Sequence, residues 1–407
     1  MHKHLAIYIS NKDDKKALIK NILSGHTIVE LNGLKGALFS EITINKFIEE
    51  ERRHGRFDIA TINQHSLTKS SAGERKKALI NHIIAGNPEY LIADNVFGNL
   101  DVKSQEAIVH TLEDLGKSIP IIQITNRKKD ILHFIADVYK PEGKGIQLID
   151  HIESLNQNET KYFIQDLPKP LNQVAAQSQS LVKFNKVCVS YLDRPIIKDI
   201  CWEIKAGEFW HLKGSNGSGK STILSLISGD NPKAFNQDIH LFGIKKGSGE
   251  SVWEIKEKIG YFTSEMLQGF RRSDTIERMI ISGFYDSVGL YKFPNENQVL
   301  IAHQWLNLLN MFDIKDRNFQ TLSSGHKRLV LIARAMVKHP PLLILDEPTN
   351  GLDDHDVVIF TELINKIAKE SDTAVLYVSH SEEIGLEPDH IYELKMSATG
   401  STGKVLT

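Results

Sequence analysis

Cysteine is nearly absent. Cys188 and Cys201 are too few for a disulfide framework or a four-thiolate zinc site. Both are expected to be buried thiols in a reducing compartment. Long apolar runs are also missing; none approaches the roughly eighteen residues a membrane span needs. Leu5–Ile9, the first apolar run, gives way at once to Ser10-Asn11-Lys12-Asp13-Asp14 and is too short for a signal-peptide core. A cytoplasmic protein is therefore expected, peripheral on the inner face of the membrane only if a membrane partner holds it there. Nor is there an excess of one charge: 51 acidic side chains face 49 basic ones, a formal −2. That excludes a chain built mainly as a polycation, and nucleic acid is not an expected partner.

What is present suits a soluble globular protein. The 407 residues are 41% hydrophobic and 25% charged, and at roughly 150 residues per domain they predict two or three domains. Over 1–150, short apolar runs (Leu5–Ile9, Ile59–Ile62, Tyr90–Ala93, Ile119–Thr125) alternate with helical patterns, which predicts a parallel α/β sheet. Residues 151–180 are polar and carry Pro168 and Pro170, which reads as a linker. Strand patterns restart at Leu181–Val189, Trp202–Ile204 and Phe209–Leu212. Helical stretches dominate about 275–320, and α/β alternation returns over 328–395. In that helical part, Met279–Ile281 and Trp305–Leu309 are expected to be core. The second domain is placed at 181–396, and the Gly/Ser/Thr-rich 397–407 is expected to be a flexible tail.

The two domains repeat. An ungapped offset of 252 places Ser71 on Ser323, Gly73 on Gly325, Leu79 on Leu331, Pro88 on Pro340, Asp94 on Asp346 and Leu100-Asp101 on Leu352-Asp353. Helical periodicity alone would not match a glycine, a proline and two aspartates in one register, so two copies of one domain type are expected.

The second copy carries a phosphate loop. Gly214, Ser215, Asn216, Gly217, Ser218, Gly219, Lys220 and Ser221 fit G-x-x-x-x-G-K-[ST], after the strand Phe209–Leu212 and before a helix opening at Thr222. Glycines let backbone N–H groups turn toward phosphates, and the helix N-terminus adds its dipole. Lys220 is expected at the β/γ-phosphates and Ser221 on Mg²⁺. Leu342-Leu-Ile-Leu-Asp346-Glu347-Pro348 is an apolar strand ending in two acids. Asp346 suits Mg²⁺, and Glu347 suits polarisation of an attacking water.

With Leu322-Ser323-Ser324-Gly325-His326, Gly351-Leu352-Asp353 and Ser379-His380, the ordered set resembles an ATP-binding cassette (ABC) ATPase. The resemblance implies a P-loop NTPase fold with two tandem nucleotide-binding domains that pair within the chain. It implies that ATP and Mg²⁺ are bound, that His380 contacts the γ-phosphate, and that Tyr191, 23 residues before Gly214, stacks on adenine. The stretches Val189–Ile197, Phe242–Trp253 and Ser282–Tyr291 are similar to the ModF type, two-cassette proteins described as molybdenum-transport or photorepair ATP-binding proteins. The likeness is strongest over 181–395 and weaker over about 60–140.

The first copy is degenerate. It has no phosphate-loop match; Leu31-Asn-Gly-Leu-Lys-Gly-Ala-Leu38 holds the nearest glycine pair. Asn95 replaces Glu347, and Asn126 stands near the place of His380 with a two-residue shift. An amide cannot act as a general base, so this copy is expected not to hydrolyse ATP. It keeps Ser71-Ala72-Gly73-Glu74, a near-signature. In paired cassettes each nucleotide lies between one phosphate loop and the opposite signature. Ser71 and Gly73 are thus candidates to complete the one competent site, although the same residues suit a plain cap for Arg75–Ile84.

Where cassettes of transporters carry glutamine, this chain reads Ser264-Glu265, which puts coupling to a membrane partner in question. Two roles stay open. One is energising or regulating a separate permease, with molybdate or another oxyanion as cargo. The other is a soluble switch ATPase in repair, translation or stress response. Pairing between two chains is a further alternative.

Overall fold

Short apolar runs covered on both faces form the parallel strands of two sheets, as their near-continuous burial requires. The computed structural model describes residues 3–55, 59, 66–98, 100–143, 145–149, 161–170, 179–270 and 273–406. They form two units, 1–159 with 350–355, and 160–349 with 356–407.

The first unit runs β1 (Leu5–Tyr8), α1 (Lys15–Leu23), β2 (Gly36–Phe39), α2 (Glu41–His54), α3 (Ala72–Ala85), β3 (Tyr90–Asp94), α4 (Val102–Gly116), β4 (Ile121–Thr125), β5 (Asp137–Glu142) and β6 (Gly145–Leu148). The strands lie in the order β2-β3-β4-β1-β5-β6, all parallel but for the β5–β6 hairpin. Asp14, Ser40, Ser71 and Asp101 each cap a helix by accepting a first-turn N–H, which satisfies donors left orphaned at a helix start. Gly36 is glycine because a Cβ there would lie 2.2 Å from the Tyr90 ring of the neighbouring strand.

The second unit holds β7 (Ser180–Tyr191), β8 (Arg194–Lys205), β9 (Phe209–Gly214), α5 (Lys220–Ile227), β10 (Asp238–Leu241), β11 (Ile244–Lys245), α6 (Val252–Glu257), β12 (Ile259–Thr263), α7 (Met266–Gly269), α8 (Ile276–Ile281), α9 (Glu296–Leu308), α10 (Ser324–Met336), β13 (Leu342–Asp346), α11 (Asp354–Glu370), β14 (Ala374–Ser379), β15 (His390–Lys395) and β16 (Thr402–Leu406). Its main sheet has the order β12-β13-β14-β9-β15-β16, position for position that of the first unit. Asp94 pairs with Ile124 as Asp346 pairs with Val378, so the repeat and its two-residue slip are visible in the strand register. An antiparallel sheet, β11-β10-β7-β8, has no counterpart among the described residues of the first unit. The expected core pieces Met279–Ile281 and Trp305–Leu309 are in large part buried.

Three expectations are corrected. Residues 397–407 are not a loose tail: β16 is an antiparallel edge strand on β15, and Ser401 exchanges backbone hydrogen bonds with Ile196 and Lys198. The Cys188 and Cys201 thiols are exposed, because Val187, Val189, Ile200 and Trp202 take the inward positions of β7 and β8. Within the expected linker, 161–170 is fastened to the second unit. The N–H groups of Tyr162 and Phe163 donate to Glu362 Oε1 (2.8 and 3.1 Å), and the Phe163 ring is buried. The rest of that linker, 151–160 and 171–178, and the strand expected at 60–62 lie outside the described residues.

Candidate nucleotide site

The phosphate loop leaves β9 and enters α5. Gly217 and Gly219 adopt φ of +79° and +96°, which favour glycine because a Cβ is disfavoured there. Space also demands it at Gly219, where a Cβ would lie 2.6 Å from Ile197 Cγ2. Lys220 is the first residue of α5 and is buried. Its Nζ donates to the carbonyls of Gly214 (2.7 Å) and Ser215 (3.3 Å), which holds the loop turned around the ammonium. Ser215, Asn216 and Ser218 complete that turn, and Ser221 and Thr222 lie in the first turn of α5.

Asp346 ends β13, and Glu347 follows in a left-handed conformation (φ +45°), its N–H donating to Val378 O at 2.9 Å. That twist turns the Glu347 carboxylate toward His380, whose Nδ1 lies 3.1 Å from both oxygens. Lys220 Nζ is 4.0 Å from Glu347 Oε1. One ammonium, one imidazole and the two acids thus converge. Ser221 and Asp346 line one cavity of about 470 Å³. A hydroxyl and a carboxylate are hard oxygen donors that suit Mg²⁺.

Burial, and then the neighbouring Glu347, push Asp346 up to about 6 from its ordinary 3.8, against the pull of Lys220. Raised above its unfolded value, the carboxyl favours the fold when protonated. That advantage is complete below about pH 4 and is lost as pH rises through about 6; charging Asp346 costs at most about 3 kcal/mol. Asp346→Asn is expected to raise the melting temperature of the nucleotide-free protein near pH 7.5 and to lose that gain near pH 4, while abolishing turnover. Thermal melts across this range check it, and an unchanged or lower melting temperature at pH 7.5 would contradict it.

Tyr191 is half exposed at the end of β7, and its hydroxyl accepts from Asn231 Nδ2 at 2.8 Å. Ser323 caps α10, accepting from the N–H of His326. Gly325 lies against α11, where a Cβ would meet the Asp356 carboxylate at 2.3 Å. Ser264 and Glu265 follow β12, which pairs with β13 at Thr263 and Asp346, and Glu265 adds to the negative field on Asp346.

In the first unit, the counterpart of the phosphate loop is not the glycine pair of Leu31–Leu38. That stretch belongs partly to β2. The equivalent loop joins β1 to α1 and reads Ile9-Ser10-Asn11-Lys12-Asp13-Asp14, with Lys15 opening α1 as Lys220 opens α5. Lys15 Nζ pairs with Asp94 Oδ1 at 3.0 Å, and Ser40 donates to Asp94 Oδ2 at 2.6 Å. The ammonium is thus used by the strand-end aspartate. Asn95 repeats the left-handed turn of Glu347 (φ +45°) with an amide in place of the carboxylate. The remaining cavity measures about 200 Å³. Ser71 caps α3 in a capping box: the Glu74 carboxylate accepts from the Ser71 N–H and Oγ (2.8 Å each). Gly73 packs against Ser104, where a Cβ would be tight at 3.3 Å. The reading from sequence missed Lys15; its signal was a lysine at a helix start one loop after an apolar strand.

A phosphate loop between strand and helix, facing an acidic strand end, defines a P-loop nucleoside triphosphatase. Comparison with known proteins narrows this. The sequence profile of the ABC transporter family matches residues 197–350. The ABC transporter ATP-binding protein ModF of Escherichia coli (strain K12) is 36% identical over 343 residues, which cover 81% of this chain and 70% of that protein. The zinc uptake system ATP-binding protein ZurA of Listeria monocytogenes is 35% identical over 204 residues, 50% of this chain and 77% of that protein. The archaeal ribosome recycling factor aABCE1, solved with the stalk protein aP1, shares the fold over 98% of this chain and 85% of that one, with a TM-score of 0.63 at 14% identity. The chain belongs to the ATP-binding cassette family and is an ABC-type ATPase of the ModF-like, two-cassette kind. No helix among the described residues is long and apolar enough to cross a membrane.

Proposed function

We propose that the chain hydrolyses ATP at one site, in the second unit, and uses the cycle to energise or regulate a separate membrane permease from the cytoplasmic face. One observation carries the single site. Lys220, Ser221, Asp346, Glu347 and His380 form a complete set in one unit, while the other keeps Lys15 and Asp94 but has Lys16, Asn95 and Asn126 in the places of Ser221, Glu347 and His380. The cargo this reading proposes, an oxyanion such as molybdate, follows from the resemblance of Val189–Ile197, Phe242–Trp253 and Ser282–Tyr291 to the ModF type.

In this reading Tyr191 offers its ring to adenine. The loop N–H groups and Lys220 take the phosphates. Ser221 and Asp346 would hold Mg²⁺, which neutralises phosphate charge when bound. Glu347 orients a water for in-line attack and accepts its proton, and His380 shifts from Glu347 to the γ-phosphate.

The reading also gives Ser71 and Gly73 the role of signature for this nucleotide. Glu74 must then release the Ser71 N–H, because its carboxylate sits where a phosphate oxygen would bind. Gly73→Val is expected to lower turnover about tenfold or more, the loss of at least one charge-assisted hydrogen bond to phosphate. Glu74→Gln is expected to raise turnover. Steady-state kinetics check both, and wild-type rates in both variants would end this role and leave a helix cap.

A second reading, a soluble switch ATPase, is favoured by Ser264-Glu265 in place of the glutamine through which cassettes address membrane partners. One experiment separates the two. Glu347→Gln is trapped with ATP-Mg²⁺ in solubilised whole-cell extract and its bound proteins are identified, with Lys220→Ala as control. An ATP-dependent integral-membrane permease supports the first reading; a soluble partner alone, including a second copy of this chain, supports the second.

A further inference from the structure

Tyr191 ends β7 and pairs with Arg194 across a hairpin turn, where Leu192 is exposed and takes a left-handed φ of +53°. Mobility concentrates at such tips, yet this ring is held. Its hydroxyl accepts from Asn231 Nδ2 at 2.8 Å. Asn231 is buried, and every polar atom of its side chain is used. The second Nδ2 proton goes to Ser225 Oγ (2.9 Å), and Oδ1 accepts from the Lys233 N–H (3.0 Å). The Lys233 bond fixes which end of the amide is oxygen, since only that end accepts. The Asn231 N–H donates to Ser225 O (3.0 Å). Ser225 Oγ in turn gives its one proton to Thr222 O (2.8 Å), in the first turn of α5. An unbroken chain of hydrogen bonds thus runs from the helix behind the phosphate loop to the ring at the hairpin tip. Asn231 also caps the short turn Pro232–Ala234. A cap needs only the oxygen, and serine or aspartate would serve as well. The two donations from Nδ2 are surplus to capping, and only a side-chain amide supplies them together with the acceptor.

We infer, resting on the reading of Tyr191 as the adenine platform, that Asn231 is a positioning residue for the base. It sets the Tyr191 ring at a fixed place relative to the phosphate loop, so nucleoside and triphosphate are gripped by one scaffold. The ring is ordered when the chain folds rather than when ATP arrives, which strengthens binding. The same contact is made before and during the reaction, so it acts on affinity and not on the chemical step.

The test compares Asn231→Ser, Tyr191→Phe, the two combined, and Tyr191→Ala in the full chain. Affinity for ATP-Mg²⁺ is titrated in the Glu347→Gln background, and kcat and KM are measured with Glu347 kept. Serine still caps Pro232–Ala234 but lacks the amide that reaches Tyr191. Phenylalanine keeps the ring and drops the hydroxyl. Each single variant is expected to weaken ATP binding about threefold to tenfold, the worth of one hydrogen bond, with kcat held within about twofold. The combination is expected to bind no more weakly than either alone, because both cut the same link. Tyr191→Phe serves alone if Asn231→Ser does not fold. A tenfold fall in kcat overturns the positioning role. So does a further loss of affinity when Asn231→Ser is added to Tyr191→Phe, which leaves Asn231 a cap. Tyr191→Ala keeps the two levels apart. Wild-type affinity in Tyr191→Ala ends the adenine assignment itself. Weak binding in Tyr191→Ala, with wild-type affinity in Tyr191→Phe and Asn231→Ser, keeps that assignment and overturns the role of Asn231.

Discussion

Glu347→Gln stops steady-state hydrolysis while leaving ATP bound. The expected loss is about 10²–10⁴-fold in kcat, the range for removing a general base. Glutamine keeps the size of the side chain and can still bond His380, which now sits 3.1 Å from the carboxylate, so the site keeps its shape. What it loses is the group that takes a proton from water. It also removes a negative charge beside the γ-phosphate position. The Asp346 carboxyl, held up partly by Glu347, falls toward its ordinary range, and ATP affinity is expected to rise. Single-turnover kinetics with radiolabelled ATP read both effects. Wild-type turnover in this variant would remove Glu347 from the chemistry.

Two lysines at equivalent places are expected to fail in opposite ways. Lys220→Ala removes the ammonium that holds the loop carbonyls and meets the phosphates. ATP binding and turnover disappear, with little change in melting temperature. Lys15→Ala removes the partner of Asp94, a buried carboxylate. An uncompensated buried charge costs roughly 3–5 kcal/mol, less here because Lys15 is partly exposed and Ser40 still donates to Asp94. The first unit is therefore expected to lose stability while ATP affinity stays within about twofold. Calorimetry and equilibrium ATP binding on the two variants read this cross-over. Loss of ATP binding in folded Lys15→Ala would show that the first unit holds nucleotide after all.

The second unit was legible because its chemistry fixes its backbone. Gly217, Gly219 and Lys220 at that spacing, between a strand and a helix, fit a phosphate loop, and Asp346-Glu347 marks the end of a buried strand. The repeat at offset 252 then carried Asp94, Asn95 and Gly73 to their structural places. Legibility ended where a function had been lost. Ser10–Lys15 keeps no glycine once it binds no phosphate, so only the sheet order reveals what it replaced. The partners of Asp353 and Asp354 were hidden for a similar reason: the Asn11 N–H, which donates to Asp353, and the Tyr8 and Arg127 side chains, which donate to Asp354, come from different loops and strand ends, and no spacing rule joins them. The exposed thiols of Cys188 and Cys201 depended on strand register, with bulges between Phe184 and Val189. The order of 161–170 depended on the buried Phe163 and on a distant carboxylate, Glu362, which no local pattern joins.

One ATP per chain, in the second unit, is the expected stoichiometry. Isothermal titration of Glu347→Gln with ATP-Mg²⁺, alone and combined with Lys220→Ala or with Lys15→Ala, tests it most directly. One ATP should bind per chain, unchanged by Lys15→Ala and abolished by Lys220→Ala. Two ATP per chain, or one that survives Lys220→Ala, would contradict it.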